Sequence, residues 1–471
     1  MFTLAQLKKF KNNTAIINHN NIKYSYANII KEIKYLKNKI NLSENKIALL
    51  VSNNFFSFIV IYLSCLIYKT KIIIINENSF KVSNKKIIKN FNPDYIFSTI
   101  KLSKSGSLKN KYVLKYKDYF IFENKKKNKD KLNKEIAILL PTSGSTGAPK
   151  FACLSYENLI SNTKSIVNYL NINRSSSTIT SLDPGYSYGL SIINSHLHMG
   201  SKLVVNRYSI LDINFWKLFK SNKVKFFYTV PLMCEILFQN KKFVSHFKNL
   251  STLCCAGGYL DKKIKLNILS YFKNMNFFIM YGQTEASPRI SYVNLRKNTK
   301  KLDSIGNPIK GGKLFFNTAQ NEIINKKNPK EVFYTGKNVM LYYANNLKGL
   351  SKKRSNNYTI NTGDLGFKDS DNFFYLTGRK NRVAKINGVR VDLDQIEKDF
   401  KIQKIICINL GNKIFLCSKK NVTQKIRYKI SKIYNLGINN LFIYNLKFVP
   451  FNTNNKIDYV ELKKMIKNEL K

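Results

Sequence analysis

Short β-branched runs alternate with longer amphipathic stretches along most of the chain. Apolar runs at 46–51, 71–75, 136–140, 202–205, 224–229 and 276–280 predict strands. Between them, 26–40 and 157–170 place apolar residues at helical spacing. This alternation predicts an α/β fold of layered subdomains with mostly parallel sheets. Residues 55–68 are the most continuously apolar, but Lys69 and Lys71 interrupt them before the ~20 residues that a bilayer span requires. They read as a buried helix feeding a strand at 72–75. Residues 124–134, rich in Lys and Asn and without apolar period, read as a solvated loop.

At 471 residues the chain is too long for one core. A boundary near Gly378 separates an N-terminal domain, 1–377, from a small α+β C-terminal domain, 378–471, with its own apolar pattern. With 44% hydrophobic residues, the chain can bury a substantial core despite a net charge of +53. That charge would suit a polyanion binder. The lysines are scattered and alternate with Asn, however, and no aromatic–basic nucleic-acid module is present, so compositional drift is the preferred reading and no specific nucleic-acid partner is expected. The seven cysteines form no CxxC pair and only four histidines accompany them, which disfavours zinc and disulfides and points to reduced thiols in a cytoplasmic protein. Cys254 and Cys255 lie in an apolar run and read as core. Residues 1–13 lack the apolar segment of a signal peptide.

The sharpest local feature runs from Ile136 through Pro141-Thr142-Ser143-Gly144-Ser145-Thr146-Gly147-Ala148-Pro149 to Lys150. A strand enters a loop of hydroxyls and glycines closed by a lysine. Successive backbone N–H groups there can form an anion-binding concavity, and Lys150 adds a point charge, so the loop suits a polyphosphate. It is not a Walker loop, because Ala148 and Pro149 separate Gly147 from Lys150.

This order closely resembles the phosphate-binding signature of the adenylate-forming superfamily, which contains acyl-CoA synthetases, luciferases and peptide-synthetase adenylation domains, and it is nearest to the acyl-CoA-ligase-like members. Further motifs follow in the family's order over roughly residues 20 to 460: Gly257-Gly258-Tyr259, Tyr281-Gly282-Gln283-Thr284-Glu285, Ser304-Ile305-Gly306-Asn307-Pro308, Thr362-Gly363-Asp364, Gly378-Arg379-Lys380, Lys385 to Val391 around Gly388, and Pro450 to Ile457 around Lys456. The resemblance implies that ATP and Mg2+ are bound and a small-molecule carboxylic acid is activated. It makes Glu285 the magnesium ligand and has Thr284, Lys150 and residues 142–147 fix the phosphates. Asp364 and Arg379 would hold the ribose, Tyr281 and the Gly258 turn with Tyr259 and Gly282 the adenine, and Lys456 would bridge carboxylate and α-phosphate. The small domain would be mobile about a hinge at Lys380-Asn381, presenting Lys456 for adenylation and the Gly388 segment for thiol transfer.

Several positions depart from the family pattern. Asn455 replaces the usual glycine before the lysine, Asn452 replaces a threonine, and Arg382 stands where an acidic residue is common. Gly189 stands about where amino-acid-activating relatives place an aspartate, which argues against an α-amino acid and for room for an acyl or aryl group. Asp183 reads as a strand end, and His196 and His198 as structural. The acceptor is expected to be CoA, giving an acid–thiol ligase. The rivals are a carrier-protein phosphopantetheine and, in another class, a decayed fold kept as a basic binding protein.

Overall fold

The structure, a computed structural model, describes residues 2–102, 110–124, 131–142, 150–239, 241–318, 322–354, 357–387, 389–419, 422–451 and 457–470. Residues 143–147, Gly388 and Lys456 among the predicted site residues, and 125–130 of the predicted loop, lie outside these. The chain divides into two compact units, whose described residues are 2–142, 150–314 and 334–360 in the first and 315–333 and 361–470 in the second. Gly378 lies in the second unit, within the strand Phe374–Arg379.

The first unit holds two sheets. One is eight-stranded, in the order Tyr342–Ala344, Lys150–Ser155, Ile136–Thr142, Lys71–Asn76, Ile47–Ser52, Tyr95–Ser98, Tyr119–Asn124, Asn110–Tyr116. Its four central strands are parallel and both flanks are antiparallel. The second runs Ser304–Pro308, Arg289–Asn294, Asn276–Gly282, Thr252–Ala256, Phe226–Thr229, Ser177–Ile179, Lys202–Val204, Thr14–Ile17, Lys23–Ser25, parallel except at its ends. The parallel centres coincide with the predicted strands because strands buried on both faces read as continuous apolar runs.

Helices fill the space between. The helix Phe56–Ile67 is apolar on every side and buried along nearly its whole length, as a helix lacking a polar face must be. Tyr26–Lys39 and Tyr156–Leu170 each begin with a capping box, Ser25 with Asn28 and Ser155 with Asn158, which satisfies backbone donors that a helix start leaves open. The largest core cluster joins Ile29, Ile33, Phe58 and Tyr62 to strand residues Leu50 and Ile74 and to Leu190 and Ile193 of the helix Ser187–His198. Cys254 and Cys255 are buried, and all seven cysteines are unpaired. No helix among the described residues is long and apolar enough to cross a membrane.

In the second unit, Thr359–Lys368 pairs antiparallel with Phe374–Arg379. A hairpin, Val383–Ile386 with Val389–Asp392, leads to a three-stranded sheet of Ile406–Leu410, Lys413–Ser418 and Leu441–Asn445. The helices Leu393–Asp399, Gln424–Ile433 and Tyr459–Glu469 cover it through apolar clusters centred on Leu416, Ile430 and Leu462.

Candidate active site

In the first unit, the predicted residues gather at the carboxyl ends of parallel strands, where open α/β sheets bind ligands. The strand Asn276–Gly282 brings Tyr281 and Gly282 there. Gly282 must be glycine, because a Cβ would fall 2.0 Å from Pro288 O. The chain then makes the tight turn Thr284–Ala286, with Gln283 N donating to Pro288 O at 2.9 Å. Two buried amides clamp the turn. Asn162 Nδ2 donates to the carbonyls of Ala286 and Arg289 at 3.3 and 3.0 Å, and Asn338 Nδ2 to the same pair at 2.6 and 2.9 Å. Thr284 and Glu285 remain partly exposed on this fixed base.

Glu285 Oε1 accepts a hydrogen bond from Tyr343 Oη at 2.6 Å. Burial, reinforced by the Glu285 charge, pushes the Tyr343 phenol well above its ordinary value, so it remains a neutral donor. Thr284 Oγ1 lies 3.2 Å from Ser187 Oγ. Tyr343 belongs to the strand that pairs with Lys150–Ser155, opposite Ala152. Lys150 in turn stands opposite Thr142, whose Oγ1 donates to Lys150 O at 3.2 Å, so the two residues bracketing 143–149 are locked in register. The Thr284–Ala286 turn packs against both of these strands. Thr142, Lys150, Thr284 and Glu285, far apart in sequence, thus share one neighbourhood.

Gly258 and Tyr259 follow the adjacent strand Thr252–Ala256, whose Ala256 pairs with Met280. Gly258 is exposed. Tyr259 donates to Asp303 Oδ1 at 3.3 Å, under the Lys265 ammonium at 4.7 Å from its ring, and burial with the Asp303 charge pushes its phenol up to about 12.

Gly189 does not leave room for an acyl group as expected. A Cβ there would fall 2.3 Å from Asp183 O, so the glycine lets the helix Ser187–His198 pass in contact with that backbone. Asp183 stands beyond the strand Ser177–Ile179, and its Oδ1 accepts from Ser52 Oγ at 2.5 Å and Gly185 N at 2.7 Å. It holds a loop, and burial raises its carboxyl above the ordinary value. His196 is fully buried between Ser201 Oγ at 2.9 Å and Tyr228 Oη at 3.0 Å, and burial pushes it down to about 3, a neutral structural ring. His198 Nδ1 lies 2.8 Å from Gln6 Nε2.

The second unit contributes a separate group. Asp364 and Arg379 face each other across paired strands, with Arg379 Nε 3.0 Å from the buried Asp364 Oδ1. Thr362 Oγ1 donates to Val332 O at 2.7 Å, which fixes the turn at Gly363. At the expected hinge, Lys380 pairs with Glu331 at 2.8 Å. Arg382 is an internal anchor: it reaches Asp394 and Cys407 O, each at 2.7 Å, pairs with Glu397, and lies 4.0 Å from the Tyr459 ring centre.

Tyr343 was missed from sequence because it lies in no motif and meets Glu285 only through strand pairing. Arg289 was missed too, although it opens the largely buried strand Arg289–Asn294.

The model of the AMP-binding enzyme family matches residues 4–344. Over 274 residues the chain is 29% identical to a probable 4-coumarate–CoA ligase 3 of Dictyostelium discoideum, covering 56% of this chain and 49% of that protein. It is 26% identical over 357 residues to the D-alanine–D-alanyl carrier protein ligase of Lactococcus lactis subsp. lactis, covering 68% of each. The match thus spans about half the length of the first of these relatives. In fold, the chain is similar to an O-succinylbenzoate coenzyme A synthetase from Bacillus subtilis solved with ATP and magnesium, at a TM-score of 0.77 and 17% identity over 98% of both chains. The chain belongs to the AMP-binding enzyme family, the adenylate-forming superfamily.

Proposed function

We propose that this protein activates a carboxylic acid with ATP, forming an acyl-adenylate and releasing pyrophosphate, and then passes the acyl group to a thiol. The observation that carries this reading is the Glu285–Tyr343 pair, joined through one strand to Lys150 and Thr142 at the base of the hydroxyl- and glycine-rich segment. A carboxylate beside a cationic, hydroxyl-bearing strand pair suits a metal–triphosphate ligand. Mg2+ takes one or two carboxylates and completes its shell with phosphate oxygens and water, and Glu285 with Thr284 fits that donor set. When bound, the ion would neutralise phosphate charge.

The chain's own residues then divide the work. Thr142, Thr284 and Lys150, with residues 143–147, hold and orient the phosphates. Tyr281, Gly282, Gly258 and Tyr259 take the adenine side, and Asp364 with Arg379 the ribose. Lys456 stabilises charge between the attacking carboxylate and the α-phosphate. Residues 378–471 act as the mobile domain, with Gly388 serving the second step. CoA is the proposed acceptor, consistent with the 4-coumarate–CoA ligase relatives. A carrier-protein phosphopantetheine is the second reading, favoured by the carrier-protein ligase among the relatives and by a +53 surface suited to an acidic partner. A cytoplasmic location belongs to the same proposal and is supported by the seven unpaired thiols.

The test is acid-dependent exchange of labelled pyrophosphate into ATP over a panel of carboxylic acids. Exchange with one class of acid, reduced by about 10²- to 10³-fold in Lys456→Ala, is the expected result. Folded protein that binds ATP but exchanges with no acid would overturn the proposal.

A further inference from the structure

Arg289 is among the largest fully buried side chains, 2% exposed, yet its Nε donates no hydrogen bond to a described residue and no described carboxylate pairs with it; the neutral Tyr169 phenol is its hydrogen-bonding neighbour. Among the described residues the other partly buried arginines are anchored through part of the guanidinium, although Nε of Arg296 and Arg427 and Nη2 of Arg354 also lack partners. Arg296 bonds the carbonyls of Leu269 and Phe272, Arg354 that of Val339, and Arg382 two carboxylates. A buried, uncompensated charge is among the costliest features a fold can carry, and such a group persists where a ligand completes it.

The surroundings of Arg289 are polar but neutral. Its Cζ lies 5.0 Å from the ring centre of Tyr188, whose buried hydroxyl also lacks a partner. The Tyr169 and Tyr228 phenols and the Cys254 thiol, all pushed up by burial, feel its charge without supplying a counter-charge. The pair sits directly against the candidate active site. Arg289 follows the Thr284–Ala286 turn, its carbonyl takes the same two amide clamps, and Tyr188 neighbours the Ser187 that touches Thr284. Apolar Ile192, Ala256 and Met280 pack in the same cluster as Tyr188.

We propose that Arg289 reads a second carboxylate on the acid that is activated, so that the substrate class is a dicarboxylic acid. The planar guanidinium fork matches a carboxylate in two parallel hydrogen bonds, and the Tyr188 hydroxyl adds a donor for the same group. The assignment rests on the carboxylate-activation reading, and it concerns only which acids that site accepts.

The experiment compares wild type, Arg289→Met and Arg289→Lys in two assays. Thermal denaturation without ATP is followed with succinate, glutarate or adipate, with the length-matched monocarboxylates, and with sulfate. Pyrophosphate exchange is then measured with the same acids. One or more dicarboxylates should raise the melting temperature of wild type and leave Arg289→Met unchanged. Exchange with that acid should fall by about 10²-fold or more in Arg289→Met, with monocarboxylates unaffected or improved. Arg289→Lys, which keeps the charge and loses the fork, should raise KM more than it lowers kcat and carries the test if the Met variant does not fold. Dicarboxylate binding that is the same in all three proteins, no dicarboxylate shift in wild type, or an equal shift with sulfate would overturn the proposal. Arg289-dependent binding without exchange would overturn the adenylation reading alone. Exchange with monocarboxylates but with none of the dicarboxylates would leave adenylation standing and remove this inference.

Discussion

At the scale of residues, the pairing of Glu285 with Tyr343 separates two effects that are usually confounded. Glu285 supplies the charge, whereas Tyr343 orients it through one 2.6 Å hydrogen bond. Glu285→Gln should lower pyrophosphate exchange by about 10²-fold or more across all magnesium concentrations. Tyr343→Phe should cost about tenfold at limiting magnesium and be largely restored by excess, since the carboxylate remains. Magnesium titrations of exchange for both variants check this, and equal losses at saturation would show that Tyr343 does more than orient. Arg382 teaches a related lesson. In sequence it stands where the family commonly has an acidic residue. In the structure it anchors Asp394 and Glu397, so its identity follows from local charge balance within the second unit.

At the scale of elements, the helix Leu393–Asp399 has a pH-sensitive start. Asp392 caps it, accepting from Asp394 N at 2.9 Å and Gln395 N at 3.3 Å, while burial, with Asp394 beside it, raises its carboxyl from 3.8 to about 6. Its surroundings include the Arg382 guanidinium, which acts in the opposite sense, and the Gly378 backbone, whose Cβ would fall 2.2 Å from Asp392 Oδ2. Because the folded value lies above the unfolded one, the folded state binds the proton more tightly. The stabilisation is complete below the unfolded value of 3.8 and is lost as pH rises through about 6. Asp392→Asn keeps the cap and removes the titration. Melting curves between pH 4 and pH 7 should therefore lose a downward step in the variant, and an unchanged profile would assign that step elsewhere. The predicted elements themselves were recovered closely: 26–40 became Tyr26–Lys39, 157–170 became Tyr156–Leu170, and 55–68 became the buried helix Phe56–Ile67. Buried parallel strands and capped helices write their identity locally. The antiparallel flanks were not legible, since strands such as Tyr342–Ala344 are short and owe their place to a distant partner.

At the scale of the molecule, a +53 charge spread over the chain predicts association with polyanions that is electrostatic and unspecific. Retention on heparin should vanish well below 1 M salt, where screening falls to about 3 Å, and nucleic acid should leave pyrophosphate exchange unchanged at about 0.15 M salt. Sequence-selective binding surviving that salt would revive the basic-binding-protein reading. The sequence by itself determined the layered α/β class and the family, because apolar periodicity and ordered motifs are local properties of the chain. Motif order also brought forward Thr142, Lys150, Thr284 and Glu285 for the phosphates and magnesium and Asp364 with Arg379 for the ribose; in the structure the first four share one neighbourhood and the last two pair across adjacent strands. Only the tertiary structure decided what those residues touch. It showed that Gly189 is filled by the Asp183 backbone, that Asp183 holds a loop, that Tyr343 orients Glu285, and that Arg289 is buried without a counter-charge. Each of these depends on contacts between segments far apart along the chain, and a pattern read locally carries no record of them.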